Sequence, residues 1–146
     1  MSERRALVAG GGGSSGPFLC RALRKHGYRV VCAGRSGAAL HAEVGEAAAD
    51  IVEVELTSEE SVRACVQRVG AVEAMIYNAG RLDLAPILDT SAETFAASWQ
   101  TNALGAFLCA RHFAPMMIER GRGSMIFVGA TASVRVGART HAFASA

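Results

Sequence analysis

The 146-residue sequence has few of the residues that build disulfide frameworks or metal sites. Its four cysteines, Cys20, Cys32, Cys65 and Cys109, lie far apart and form no C-x-x-C pair, and its four histidines show no ligand spacing. Each cysteine stands among apolar residues, which favours buried thiols over a disulfide framework. We therefore expect no metal site and a reducing compartment, the cytoplasm.

Long runs of one charge or of apolar residues are also absent. A net charge of +2 without basic runs argues against a nucleic-acid-binding surface. No apolar run approaches the roughly 20 residues that span a bilayer, and residues 1–5 lead straight into an apolar strand pattern. We expect one domain with a sizeable core, no membrane partner and no signal peptide.

Glycine, in contrast, is abundant, and four of the 16 glycines are consecutive, from Gly10 to Gly13. The pattern around them predicts a buried strand over 6–9, a glycine turn, and a helix that Ser14 or Ser15 caps. The predicted apolar stripe of this helix comprises Phe18, Leu19, Ala22 and Leu23. Free amides and the positive end of the helix dipole would converge on the turn, so we predict an anion site, most simply for a phosphate.

The rest of the chain alternates strand and helix patterns. Further strands are predicted over 28–33, 51–56, 72–77 and 124–128, the last buried on both faces. Ser36 is expected to cap the second helix, and Thr57 with Glu60 resembles a capping box for the third. This order predicts an α/β fold, a doubly wound parallel Rossmann-type sheet with strand order 3-2-1-4-5.

A long helix is predicted over 92–119, with Pro115 expected to kink it or end its regular part. Its predicted apolar face comprises Phe95, Trp99, Leu104, Phe107 and Leu108. Ligands of such sheets bind at the carboxyl ends of the strands, where Arg35, Glu55, Asn78 and Ala130 follow predicted strands. These segments and the glycine turn point to one crevice.

Several motifs, in order along all 146 residues, resemble the short-chain dehydrogenase/reductase family. They are the glycine turn from Gly10 to Gly16, Tyr77-Asn78-Ala79-Gly80, Asn102 in the segment 99–107, and the strand 123–128. In the frame from Gly10, Ser14 replaces the middle glycine of the family pattern. A frame from Gly12 restores it but puts Phe18 last, and we prefer the first frame. Tyr77 replaces an asparagine of the family.

The resemblance implies a dinucleotide-binding Rossmann domain over 1–146. The residues expected to bind the cofactor are Gly10, Gly12, Gly13, Ser14, Ser15, Gly16, Arg35, Ser36, Glu55, Leu56, Asn78, Ala79 and Gly80. Arg35 stands close to the point where NAD-preferring members carry an acidic residue, and a guanidinium suits a 2′-phosphate. We therefore expect NADP rather than NAD.

The resemblance also assigns three catalytic positions. Asn102 matches the asparagine of the catalytic tetrad, but Ala130 occupies the serine position and Phe143 the tyrosine position. Phenylalanine has no ionisable proton, so Phe143 cannot fill the usual acid–base role. His141 is considered as a substitute base, and Thr131 or Ser133 as a substitute hydroxyl. The lysine position falls just after Ala146, and we expect the chain to be a fragment that ends after strand five, without the C-terminal substrate-binding part.

The expected activity is hydride transfer between NADP(H) and a small carbonyl or alcohol substrate. One alternative is a catalytically inactive cofactor-binding protein that acts as a sensor or scaffold, which Ala130 and Phe143 favour. Another is an extended-family enzyme for nucleotide sugars, whose glycine spacing Gly10, Gly13 and Gly16 could mimic. The family resemblance further implies a homo-oligomer, with Phe95, Trp99 and Phe113 as candidate contact residues, although the same residues could be core contacts.

Overall fold

The computed structural model describes residues 3–146 and contains a five-stranded sheet. Its strands are β1 (Arg5–Ala9), β2 (Arg29–Gly34), β3 (Asp50–Glu53), β4 (Ala74–Tyr77) and β5 (Ser124–Phe127). All neighbouring strands are parallel, and their order is β3-β2-β1-β4-β5. The predicted fold class and strand order are confirmed.

Six α-helices connect or follow these strands in the described part of the chain. They are α1 (Gly16–Lys25), α2 (Gly37–Val44), α3 (Glu59–Val69), α4 (Ala92–Trp99), α5 (Gly105–Glu119) and α6 (His141–Ala144). Short 3-10 turns lie at Gly45–Ala47, Ile87–Asp89 and Thr131–Ser133, and a π-helical turn at Gln100–Leu104 joins α4 to α5. None of the helices within residues 3–146 is long and apolar enough to cross a membrane.

The core consists of two apolar clusters, because alternate residues of each strand point to opposite faces of the sheet. Leu7 and Val31 belong to the cluster that includes buried side chains of α3 and α5. Val8 and Cys32 belong to the cluster that includes Cys20 of α1 and side chains of α2. Helices therefore cover both faces, as a doubly wound sheet requires.

The prediction for β5 was wrong in one respect, because this strand is not buried on both faces. Ile126 is 53% exposed and Phe127 47% exposed. The strand lies at the edge of the sheet, where β4 is its one neighbouring strand within the described chain. An apolar sequence run shows that a strand can be buried, whereas its burial depends on neighbours distant in sequence.

Two predicted helix features also differ from the structure. The N-cap of α3 is Ser58, whose Oγ accepts a hydrogen bond from the amide of Ser61 at 3.3 Å, so the capping box of Thr57 and Glu60 does not form. On α1, Cys20 is fully buried, whereas Phe18 is 67% exposed. The helix is turned so that Phe18 leaves the predicted apolar stripe and stacks against Arg21 at the surface.

The predicted long helix is interrupted by the π-helical turn, and it continues past Pro115 to Glu119. Its core side differs from the predicted face, since Leu108 is buried but Phe95, Trp99 and Phe107 are all more than two-fifths exposed. Phe113 is 1% exposed and belongs to the core, so of the two alternatives considered for it, a core contact is the one observed.

Candidate functional site

The glycine turn after β1 is bound tightly to its neighbouring strands. The amides of Gly10 and Gly11 both donate to the carbonyl oxygen of Ala33, at 2.8 and 3.1 Å. Gly10 has a φ of +80°, and a Cβ added there would lie 2.3 Å from the amide nitrogen of Ala79. Only glycine fits this position, because any side chain would collide with the segment that follows β4.

The start of α1 is packed just as closely. A Cβ added at Gly16 would lie 1.8 Å from the carbonyl oxygen of Gly11. Ser15 is the N-cap residue but makes no capping bond; instead its Oγ donates to Oδ1 of Asn78 at 3.0 Å. The Nδ2 of Asn78 donates to the carbonyl of Gly10 at 3.0 Å. Asn78 thus ties the glycine turn to the end of β4.

The glycine turn already holds a negatively charged group of the protein itself. The amide of Gly13 donates to Oε2 of Glu43 at 2.7 Å, and nothing lies within 4 Å of a Cβ added at Gly13. The Glu43 carboxylate occupies the kind of place that a ligand carboxylate or phosphate would take. The donor chemistry of this turn therefore fits an anionic group.

The segment after β2 presents a cation beside this turn. Arg35 is exposed and lines the same cleft as Gly13, and Ser36 caps α2 by accepting from the amide of Ala39 at 3.3 Å. A second carboxylate lies nearby, because Oε1 of Glu53 accepts from the amide of Gly37 at 2.7 Å. The Arg35 cation therefore lies beside the carboxylates of Glu43, which lines the cleft, and Glu53, which binds the start of α2.

Glu55 lies at the cleft but is engaged within its own turn. Its Oε1 accepts from the amide and the hydroxyl of Thr57, at 3.1 and 2.8 Å. Leu56, next in sequence, is buried and lines the cleft. The carboxylate of Glu55 is thereby held in a fixed position at the cleft wall.

Tyr77, at the end of β4, is buried, and its phenol donates to the carbonyl oxygen of Thr101 at 2.5 Å. Burial raises the pKa of this phenol above its usual range, so the hydroxyl remains a protonated donor. A Cβ added at Gly105 would lie 2.3 Å from the tyrosine oxygen. Glycine at the start of α5 therefore makes room for this ring.

Asn102 lies in the π-helical turn and holds the segment that follows Gly80. Its Oδ1 accepts from the amide of Arg81 at 2.8 Å, and its Nδ2 donates to the Arg81 carbonyl at 3.0 Å and to Oγ of Ser98 at 3.2 Å. Ser98 is fully buried and donates to the carbonyl of Ala142 in α6 at 3.4 Å. The amide side chain thus positions the loop and, through Ser98, the last helix.

Replacing Asn102 with alanine should lower the free energy of unfolding by about 1–3 kcal/mol, because the backbone groups of Arg81 lose their partners. Urea denaturation followed by circular dichroism measures this change. As a control, Gln100→Ala alters an exposed residue of the same turn and should have little effect. Equal stability of the two variants would contradict this role of Asn102.

A cleft of about 770 Å³ lies at the carboxyl ends of the central strands. The predicted site residues that line it are Gly10, Gly12, Gly13, Ser14, Ser15, Arg35, Ser36, Glu55, Leu56, Asn78, Ala79, Gly80 and Phe143. Gly16, Asn102 and Ala130 do not line it. Gly16 packs against the backbone of Gly11 in the turn, and Asn102 acts through its contacts with Arg81.

At the far end of the cleft, Phe143 of α6 is half-buried and presents a ring without a titratable proton. Neither substitute hydroxyl lines the cleft, and Ser133 donates to the carbonyl of Ala130 at 2.6 Å. His141 also lies outside the cleft lining, with a buried Nε2 that has no hydrogen-bond partner among the described residues. Of the residues predicted for catalysis or as substitutes, Phe143 is therefore the one that lines the cleft.

The sequence interpretation missed Glu43, Arg81, Leu82 and Thr101, all of which line the cleft. Glu43 had a detectable signal. It lies three residues after Leu40 and four after Ala39, so a helix capped by Ser36 places all three on one face. The other three belong to segments whose course depends on the contacts of Asn102.

The sequence model of the short chain dehydrogenase family matches residues 4–146. The chain belongs to this family. Sorbitol-6-phosphate 2-dehydrogenase of Escherichia coli is 37% identical over 145 residues, an alignment that covers 92% of this chain and 56% of the relative. L-xylulose reductase of Mesocricetus auratus is 32% identical over 137 residues and covers 92% and 56%, respectively. The chain thus spans little more than half the length of these dehydrogenases and reductases.

Solved structures of other proteins share the fold of this chain. Sorbitol-6-phosphate 2-dehydrogenase from Erwinia amylovora superposes with a TM-score of 0.86 at 29% identity, covering 96% of this chain and 59% of that one. An actinorhodin polyketide ketoreductase variant solved with NADPH superposes with a TM-score of 0.88 at 26% identity, covering 98% and 59%. The family resemblance stated from the sequence motifs is confirmed.

Proposed function

We propose that residues 1–146 form the dinucleotide-binding domain of an NADP-dependent oxidoreductase that acts on a small carbonyl or alcohol substrate. The observation that carries this proposal is the single cleft that brings together the glycine turn, Arg35 and Asn78-Ala79-Gly80. When bound, the nicotinamide supplies or accepts a hydride at the carbon of the substrate. The residues of this chain bind and orient the dinucleotide.

The fit of the cleft to a dinucleotide rests on the glycine turn. The Gly13 amide donates to a carboxylate oxygen and can donate equally to a phosphate oxygen, while the absence of a side chain at Gly12 and Gly13 lets a ligand approach the backbone. Asn78 fixes the turn by its bond to Gly10, so the turn is organised before the ligand arrives.

Arg35 supports NADP rather than NAD. It lies directly after β2, is exposed at the cleft, and has the planar guanidinium that matches a phosphate with paired hydrogen bonds. A free 2′-hydroxyl offers no charge for Arg35 to bind. We infer that the 2′-phosphate of NADP lies against this side chain.

Titration of the purified protein with NADPH and NADH tests the proposal. Cofactor fluorescence or calorimetry should detect saturable binding of both, with NADPH bound more tightly. ATP serves as a control for non-specific attraction of a polyanion and should bind more weakly than NADPH. Absence of saturable binding of either dinucleotide would refute the cofactor-binding role.

A second candidate function is a catalytically inactive cofactor-binding protein that acts as a sensor or scaffold. Phe143 favours it, because this ring lines the cleft and the family resemblance assigns its position to the proton-donating tyrosine. This candidate predicts NADPH binding without turnover on a panel of aldehydes, ketones and alcohols. Measurable turnover that Phe143→Ala abolishes would reject it.

Two further properties belong to the proposal. Phe95, Trp99 and Phe107 expose aromatic surface on α4 and α5, which supports a homo-oligomer. Size-exclusion chromatography with light scattering tests this assembly. All four cysteines are free and buried, which supports residence in the reducing cytoplasm.

A further inference from the structure

Glu43 makes a contact across the cleft that the cofactor-binding motifs do not explain. It lies on α2, is exposed, and accepts from the amide of Gly13, which is 30 residues away in sequence. Its Oε2 would also lie 3.2 Å from a Cβ added at Gly12. The carboxylate thus lies directly against the glycine turn, where a side chain on either glycine would crowd it or strain the backbone.

The charge of Glu43 opposes the charge that Arg35 presents to the same cleft. Both residues line the cleft, Arg35 directly after β2 and Glu43 in the last turn of α2. A carboxylate repels a phosphate dianion but accepts a hydrogen bond from a ribose hydroxyl, the contact by which acidic residues hold the ribose of NAD. We therefore expect Glu43 to weaken the binding of NADPH and to favour the binding of NADH.

We propose that Glu43 is a specificity-determining residue that reduces the preference for 2′-phosphorylated dinucleotides set by Arg35. This inference rests on the proposed function, since it concerns the same cofactor site. The protein then binds both dinucleotides with a smaller preference than Arg35 alone would give. Glu43 tunes this preference without contact with the reacting carbon.

The test compares Glu43→Gln with the wild-type protein by measuring the Kd of NADPH and of NADH at constant ionic strength. Glutamine keeps an oxygen that can accept from the Gly13 amide and removes the charge. The ratio of the NADH Kd to the NADPH Kd should rise about tenfold, mainly through tighter NADPH binding. The rise should diminish as salt is added, because the charge is exposed.

Glu46→Gln is the matched control. Glu46 lies three residues further along, is exposed, and does not line this cleft, so removing its charge should leave the ratio unchanged. A second variant, Glu43→Ala, removes both the charge and the hydrogen bond to Gly13. Glu43→Ala should also raise the ratio of the two Kd values. If Glu43 only stabilised the glycine turn, this variant would weaken the binding of NADPH and NADH equally.

Four outcomes would overturn the inference. The role of Glu43 is refuted if the ratio of the NADH Kd to the NADPH Kd is unchanged in Glu43→Gln. It is also refuted if Glu46→Gln changes that ratio equally. In both cases, NADPH binding by the wild-type protein still upholds the proposed function. If Glu43→Ala weakens the binding of NADPH and NADH equally and Glu43→Gln changes neither, Glu43 only stabilises the glycine turn. Failure of wild-type and variant proteins to bind either dinucleotide refutes the proposed function together with this inference.

Discussion

Replacing Arg35 with alanine should weaken NADPH binding about 10- to 100-fold and change NADH binding by less than about threefold. The expected loss reflects the charged hydrogen bonds between a guanidinium and a 2′-phosphate, for which NADH has no counterpart. Arg35 is exposed at the cleft wall, so its removal should leave the fold intact. Parallel titrations of both dinucleotides measure the effect.

The control for Arg35→Ala is Arg63→Ala, which removes an exposed arginine of α3 that does not line the cleft. It changes the net charge by the same amount and should affect neither dinucleotide by more than about twofold. Equal losses for NADPH and NADH in Arg35→Ala would contradict a role in 2′-phosphate recognition. Such a result would assign Arg35 to the part of the cofactor that both dinucleotides share.

Arg35 and Glu43 should act partly independently. Under the proposed function, Arg35 attracts the 2′-phosphate and Glu43, which lines the same cleft, repels it. The two side chains form no ion pair within the described chain. Charges in one site are nevertheless coupled when they are close, so the Arg35→Ala and Glu43→Gln effects need not add. We therefore expect the selectivity of this cleft to be a balance between two residues rather than the property of one.

The sheet could be predicted from the sequence because its signals are local. Four of the five strands are short apolar runs, β3 lies in a segment that alternates apolar and acidic residues, and each crossover contains a helix pattern. Right-handed crossovers then leave few possible strand orders, and the predicted order is the observed one. The carboxyl ends of β1, β2 and β4 consequently had to meet at one edge.

The orientation of individual helices could not be predicted in the same way. Phe18 and Phe107 fit apolar stripes by spacing, yet both are exposed. Cys20 and Phe113 are buried in the core instead. A stripe is defined only to within about one residue when apolar side chains surround much of a helix, and packing selects the face. The exposed face of β5 has the same origin, since neighbours rather than its own residues determine burial.

The candidate site likewise contains residues that could be placed from the sequence and residues that could not. The glycine turn, Arg35 and Asn78 follow strands directly, so topology alone brings them together. Asn102 and Glu43 act across 21 and 30 residues of sequence, through contacts with Arg81 and Gly13. No pattern within either segment specifies such a partner, so these contacts emerged only from the three-dimensional packing.

Replacing Gly16 with alanine should lower the free energy of unfolding by about 3 kcal/mol or more and abolish dinucleotide binding. The new Cβ would lie 1.8 Å from the carbonyl oxygen of Gly11 and 2.4 Å from its carbonyl carbon. Both are backbone atoms of a turn that hydrogen bonds fix to Ala33, so no side chain can rotate away to relieve the collision. Urea denaturation and NADPH titration measure the two effects.

Gly129→Ala is the matched control, because a Cβ added at Gly129 meets nothing within 4 Å and neither glycine has a positive φ. It should change stability by less than about 0.5 kcal/mol. Similar stability losses in both variants would show that the collision with Gly11 is not responsible, since only Gly16→Ala creates it. A stable Gly16→Ala protein that still binds NADPH would show that α1 can move away from the turn, and that its close packing against Gly11 is not required for the anion site.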